Sequence, residues 1–444
     1  MTQPGAFAPR ARGGGVTLRH ALRLWLWGLV LVVSAAWASP AQDLFDQAMN
    51  LLITRYAGIS ATPPSALQPK YQARLSELCQ GQADCPYDKA VAVLGELVGE
   101  LADAHTRYLS PERLREVQRV FQGAESERPG LGASLRAVEG LEGLLVLEVF
   151  DQSPAQQAGL RRGDRVVAVN RQPLPAANAE RAAFLEARVA EGGPLVLEVL
   201  RAGARLELTL TPQRFSLRQL PSLSLLEDGV AVLRIPSFAT PGTGRRVHTL
   251  VGDALERGAR AVIVDLRDNS GGSAQECQSA AGAFVGETYR KFQSASSTVE
   301  WSFRNGVWYS REGGQERARF LFEPVRWQGP VVVIVNGRSA SCAEYFAFDL
   351  QDAGYPVVGE PTRGVANTST GFFLLPNGGG LQISVSRALR ADGSLYPDRL
   401  TPNVLVPDDL KALAEGRDVL MERALEQLRV PAHVGRRGVA VVYS

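Results

Sequence analysis

The stretch VVVIVNGRSASCAE, from Val331 to Glu344, constrains the fold of this chain more than any other. An apolar run stops at Asn336-Gly337 and gives way to small residues around Ser341, the pattern of a buried strand that turns tightly into a helix. A helix start carries free N–H groups and a favourable dipole, so a hydroxyl held there is either a serine nucleophile or an N-capping serine. Upstream, AVIVDLRDNSGG, from Ala261 to Gly272, repeats the architecture and ends in two glycines. Paired glycines let backbone N–H groups face a ligand unhindered, which suits an oxyanion hole. Strands alternating with helices in this way indicate an α/β core.

DLRDNSGG followed about seventy residues later by NGRSASCAEYF resembles peptidase family S41, the C-terminal processing or tail-specific proteases. The resemblance runs from about Asp43 to Leu428. It implies an α/β protease core built as the spiral of ββα units shared with the crotonase and Clp protease folds. In that family Ser341 would be the nucleophile, and Gly271 or Gly272 with the N–H of Cys342 would hold the oxyanion. The expected activity is that of a serine-type endopeptidase acting on proteins or peptides, without a cofactor. No spacing of Cys and His suggests a structural zinc site, and no metal is expected.

A length of 444 residues predicts two or three domains. Residues 43–122 read as helical, with apolar spacing at Leu44, Phe45, Ala48, Leu51 and Leu52 and again at Val91, Leu94, Leu97, Val98 and Leu101. A polar linker, GAESERP, leads into a β-rich module at 129–212. There GLGASL and SPAQQAGLRRGDRVVAVN resemble a PDZ domain, with residues 179–190 as the helix beside its groove. Gly130, Leu131, Gly132 and Ala133 would present N–H groups to a peptide's terminal carboxylate, and the strand after them could add a peptide strand to its edge. A PDZ fold that only braces the protease is the alternative. The protease core is expected over 215–428, with hairpins around Asn305-Gly306 and Asn377-Gly378 and a closing helical segment, and 429–444 is a tail.

Arg10, Arg12, Arg19 and Arg23 precede an apolar run from Leu24 to Val33, and Ala36-Trp37-Ala38 then offers small residues to a signal peptidase. Residues 1–38 therefore read as a secretory signal, or as an anchor if uncleaved, and the mature protein is expected in the periplasm, cell envelope or extracellular space. Only in the anchored case would a membrane be a partner. Removing those four arginines leaves 44 basic against 46 acidic residues, a balance that gives no reason to expect nucleic acid. Export suits disulfides, and Cys79 with Cys85 encloses a short polar loop that one could clip. Whether Cys277 pairs with Cys342 depends on whether two helix starts converge.

The general base is where the chain leaves the family pattern. Ser-Lys members carry a lysine in a motif like EPTxGK, whereas this chain reads EPTRGV, with Val365 at the expected lysine. The only lysines are Lys70, Lys89, Lys291 and Lys411, and arginine cannot be deprotonated to serve. A branch typified by the tricorn protease core uses a histidine from the segment before its PDZ domain, and His105, in LADAHTRYLSPE, has that place in chain order. His105 is thus either the base or a structural histidine, with His248 a lesser candidate. The serine that the tricorn type keeps beside its histidine is here Ala104, and Asp398 is the candidate acid. Two functions stay open: a peptidase whose PDZ domain presents substrate C-termini, or a silent relative that binds peptide ends as an adaptor.

Overall fold

A computed structural model describes residues 39–123, 127–216 and 219–429. The expected export signal and all but the first residue of the expected tail lie outside the described residues. Helix α1 (Pro40–Arg55) starts from Ser39, whose hydroxyl accepts the Gln42 N–H, with proline at the first helical position. Its buried face, Leu44, Phe45, Ala48 and Leu52, packs with α2 (Pro64–Cys79) and α3 (Tyr87–Glu100). A Cys79–Cys85 disulfide clips the turn between α2 and α3.

The region departs from an all-helical reading after α3. Arg107–Leu109 is a short strand paired antiparallel with Gly380–Leu389, Arg107 opposite Gln382. Three residues carry no strand periodicity, and the pairing comes from the long partner strand. Thr106 adds a side-chain bond, its hydroxyl accepting the Ser384 N–H at 3.1 Å. The N-terminal segment is thereby stitched to a seven-stranded antiparallel sheet that also contains Thr288–Gln293, Thr298–Arg304, Val307–Glu312, Gln315–Phe320 and Thr368–Leu374. Asn305 and Gly306 turn the hairpin that joins Thr298–Arg304 to Val307–Glu312, with φ of 49° and 77°, the left-handed pair that matches strand twist.

Helix α4 (Pro111–Phe121) leads to the PDZ-like module. Its sheet runs Ala133–Arg136, Leu144–Val149, Arg165–Val169, Leu195–Arg201, Ala204–Leu210, with α5 (Pro154–Gln157) and α6 (Asn178–Glu191) beside it. Leu145 and Leu147 dock on Leu413 and Ala414 of α10 (Leu410–Ala414), and Glu148 pairs with Arg234 at 3.1 Å.

The α/β core is a six-stranded sheet in the order Ser222–Leu225, Val230–Arg234, Ala261–Asp265, Val331–Val335, Val357–Gly359, Val404–Leu405, parallel except for its first strand. Alternate residues of each central strand enter two separate cores. Val331, Val333 and Val335 meet α7 (Thr243–Glu256), α8 (Ala274–Val285) and α9 (Cys342–Asp352), while Val332 and Ile334 meet α11 (Val419–Arg429). A strand covered on both faces must be apolar throughout, which is why VVVIV lacks the alternation of a half-exposed strand. Each such side chain contributes about 1.5–3 kcal/mol on burial, enough to anchor the turn that follows. Among the described residues no helix is long and apolar enough to cross a membrane.

Candidate active site

Two neighbouring parallel strands, Ala261–Asp265 and Val331–Val335, end side by side and send their turns to one place. Polar bonds lock the turns together. The Ser339 hydroxyl donates to the Leu266 carbonyl (2.8 Å), the Ala340 N–H donates to the Asn269 carbonyl (2.9 Å), and Asn336 Oδ1 accepts the Asp268 N–H (3.0 Å). Ser341 follows at φ 55° and ψ −116°, immediately before α9. A non-glycine residue there costs on the order of 1–3 kcal/mol, and the surrounding bonds hold it in place.

The main restraint is Glu344, fully buried one turn into α9. Its carboxylate accepts the Ser341 N–H (2.6 Å), the Thr362 hydroxyl (2.6 Å) and the N–H groups of Gly364 (3.0 Å) and Val365 (3.2 Å). Burial pushes this carboxyl up and the four donors oppose it. One side chain thus ties the serine turn to the EPTRGV loop. Ser341 with Glu344 three residues on is the S-x-x-E pattern of a helix start, a signal that sequence reading passed over.

The glycine pair abuts the serine. A side chain at Gly271 (φ 94°) would put its Cβ 2.7 Å from Ser341 Cβ, and one at Gly272 (φ 148°) would lie 2.1 Å from the Phe238 backbone. Their N–H groups differ. That of Gly271 donates to Asn269 Oδ1 at 2.8 Å, so Gly271 is not a free oxyanion donor, contrary to the wider expectation. The N–H groups of Gly272 and Cys342 have no acceptor among the described residues.

His105 enters from the segment between α3 and the Arg107–Leu109 strand. Its N–H donates to Asp103 Oδ1 (3.0 Å) and its ring Nδ1 bonds the Thr368 hydroxyl (2.7 Å), on the strand that shares Gly380–Leu389 as partner. The ring is 7% exposed. Burial pushes its pKa down to about 4, opposed by Asp103 and assisted by Arg107 and Arg363.

Ser341, His105, Gly271, Gly272, Cys342 and Val365 all line one cavity of about 510 Å³, partly walled by Val117, Val120 and Phe121 of α4. No lysine lines it. No hydrogen bond joins the His105 ring to the Ser341 hydroxyl. Two expectations need correction. Asp398 is exposed, pairs with Arg399 at 3.7 Å, and does not reach His105, whose orienting partner is a hydroxyl instead. His248 is away from the cavity, its ring held between the Val325 and Ser279 backbones and tilted against the rings of Phe303 and Phe322. Thr368 was missed, since only the register of a distant strand brings it to His105.

At the PDZ-like module, the Leu131 and Gly132 carbonyls are bound by the N–H groups of Ala155 (2.8 Å) and Phe150 (2.9 Å). The N–H groups of Leu131 and Gly132 have no acceptor among the described residues. Gly132, at φ 78°, packs where a Cβ would fall 2.1 Å from Ser153. Gly130 closes a two-stranded pairing with Gln213, and Ala133 begins the edge strand of the module's sheet.

Residues 229–406 match the family model Peptidase family S41, and residues 145–201 match a PDZ domain. The chain is 23% identical over 380 residues to the carboxy-terminal processing protease CtpA of Bacillus subtilis, covering 84% of this chain and 76% of that protein. It is 27% identical over 353 residues to the carboxyl-terminal-processing protease of Synechocystis, covering 77% of each. A solved structure from Bacteroides fragilis, assigned to the S41 proteases, shares its fold, with a TM-score of 0.54, 15% identity, and coverage of 76% of this chain and 90% of that one. The motifs, the two-turn site and these likenesses agree: the chain carries a serine-type peptidase domain of family S41, over residues 229–406, and a PDZ domain.

Proposed function

We infer that this peptidase processes exported proteins or peptides from their C-terminal side, with Ser341 as nucleophile and His105 as general base. Ser341 Oγ attacks the scissile carbonyl while His105 Nε2 takes its proton. The oxyanion is received by the N–H groups of Gly272 and Cys342, and the imidazolium then protonates the leaving amine. Water repeats the sequence to release the acyl group. The observation that carries this reading is the shared cavity, in which His105 and Val365 line the wall and no lysine does. The His105–Ser341 bond forms when substrate fills the cavity, because catalytic hydrogen bonds commonly tighten only in the complex. Labelling of the full chain by a fluorophosphonate, with Ser341→Ala as control, tests the reading. Absence of label on an intact fold would turn the chain into a silent adaptor.

Thr368 is the positioning residue of this scheme. The scheme requires the Thr368 hydroxyl to accept the Nδ1–H across their 2.7 Å contact, which leaves Nε2 unprotonated to take the serine proton. Thr368→Val keeps the shape and removes the hydroxyl, so kcat should fall about 10- to 100-fold with KM little changed. Thr368→Ser should restore most of the rate. A Thr368→Val enzyme with wild-type kcat would remove the hydroxyl from the mechanism.

Substrate C-termini are read by the open N–H groups of Leu131 and Gly132, with the Ala133–Arg136 edge free to pair with a peptide strand. Peptides with a free C-terminal carboxylate should bind the full chain at least about tenfold more tightly than their amidated forms. Equal affinity by titration calorimetry would leave the PDZ domain as a brace.

A further inference from the structure

The Cys277 and Cys342 thiols are both buried, and their sulfurs lie 2.8 Å apart, short of a covalent bond yet closer than sulfurs that merely touch. Neither position is incidental. Cys342 opens α9 directly after Ser341, and Cys277 lies in the first turn of α8, just beyond the glycine pair. The Cys342 thiol also donates to the Gly272 carbonyl at 3.4 Å, so it already touches the turn that carries the second free N–H.

We propose that Cys277 and Cys342 are a modification site that closes into a disulfide in an oxidising compartment, stapling together the two turns that carry the oxyanion donors. The chain already holds one disulfide, Cys79–Cys85, and such bonds persist where the surroundings are oxidising. The oxidant is a small-molecule disulfide of the glutathione class. One cysteine thiolate displaces half of it to form a mixed disulfide, and the second cysteine attacks that bond. Two protons leave the cysteines, two electrons pass to the external disulfide, and it departs as two thiols. The exchange runs before α8 and α9 close over the pair, since a buried protonated thiol is a poor nucleophile and burial holds the Cys277 thiol well above its ordinary range.

The bond would span 65 positions, against 6 for Cys79–Cys85, so it should dominate the chain's redox-dependent stability. Its effect on catalysis rests on the oxyanion assignment above, but its existence does not. The full chain is folded with glutathione disulfide, denatured, alkylated without reduction and digested. The expected product is a linked peptide pair containing Cys277 and Cys342. Alkylation of both, in chains whose Cys79 and Cys85 are linked, overturns the proposal. Graded reduction should then lower Tm by about 5 °C in the wild type and clearly less in Cys277→Ala. It should lower kcat about threefold or more in the wild type, with KM steady, and leave Cys277→Ala unresponsive. A mapped crosslink whose reduction leaves kcat unchanged overturns the tie to the oxyanion donors. Failure of fluorophosphonate labelling would sink the nucleophile assignment and leave the crosslink map intact.

Discussion

Ser341→Ala should lower turnover by about 10⁴-fold or more while leaving the melting temperature within about 1 °C of wild type. The fold is expected to survive because the hydroxyl supplies at most one helix-start contact, while the bonds that lock the turn are made by other groups. The turn is held by the Ser341 N–H on Glu344, by the Ala340 N–H on Asn269 and by Ser339 on Leu266, none of which involves Oγ. Alanine pays the same strain at φ 55° as serine, and its Cβ occupies the space already fitted against Gly271. The free N–H groups of Gly272 and Cys342 stay in place, so residual catalysis over water should persist from the oxyanion site alone. Hydrolysis of an unstructured protein and thermal unfolding, measured on one preparation, check both halves. Full activity with contaminating protease excluded would remove Ser341 from the mechanism.

Glu344 shows why Ser341, the proposed nucleophile, can be both strained and stable. A turn at positive φ relaxes unless its neighbours over-determine it, and a carboxylate with four short donors from two loops does so. The same clamp fixes Val365 at the cavity wall, so the identity of that residue bears directly on the chemistry beside Ser341.

The parts of the site that were legible in the sequence are those encoded locally. VVVIV and AVIVD are read as buried strands because both faces are covered, and NGRSASCAE and DNSGG are read as turns because small residues and glycines are needed where two backbones meet. What could not be read depends on register between distant segments. Thr368 meets His105 only because Thr368–Leu374 and Arg107–Leu109 share the strand Gly380–Leu389. The difference between Gly271 and Gly272 is likewise invisible in a glycine pair, since it depends on which N–H the Asn269 side chain captures. Asp398 was chosen for being a carboxylate in the right order, and order along the chain carried no information about reach.

The second large effect concerns His105. In the folded chain its pKa is pushed down to about 4 from an ordinary value of 6.5, mainly by burial, with Arg107 and Arg363 adding to the shift and Asp103 opposing it. Only the neutral ring can accept the Ser341 proton, so kcat/KM of the free enzyme should rise with pH through about 4 and be level by about 6. An unperturbed histidine would place the same limb near 6.5. Stability should follow a matching course. Between pH 6.5 and 4 the unfolded chain binds a proton at this residue that the folded chain does not. Stability from this one group therefore falls as pH drops through that window, by about 3 kcal/mol once pH is below 4. His105→Ala should flatten this contribution and, if His105 is the base proposed above, also cost about 10³-fold or more in kcat, because a base and its nucleophile act as one unit. A hydroxyl partner stabilises the imidazolium less than a carboxylate would, so the wild-type rate itself should be modest for a serine peptidase. The pH profiles of rate and of thermal unfolding, on wild type and His105→Ala together, separate catalysis from packing. A variant that loses the stability window yet keeps its rate in the folded fraction would assign His105 to the core alone, and the Ser341 proton would then need another acceptor on the cavity wall.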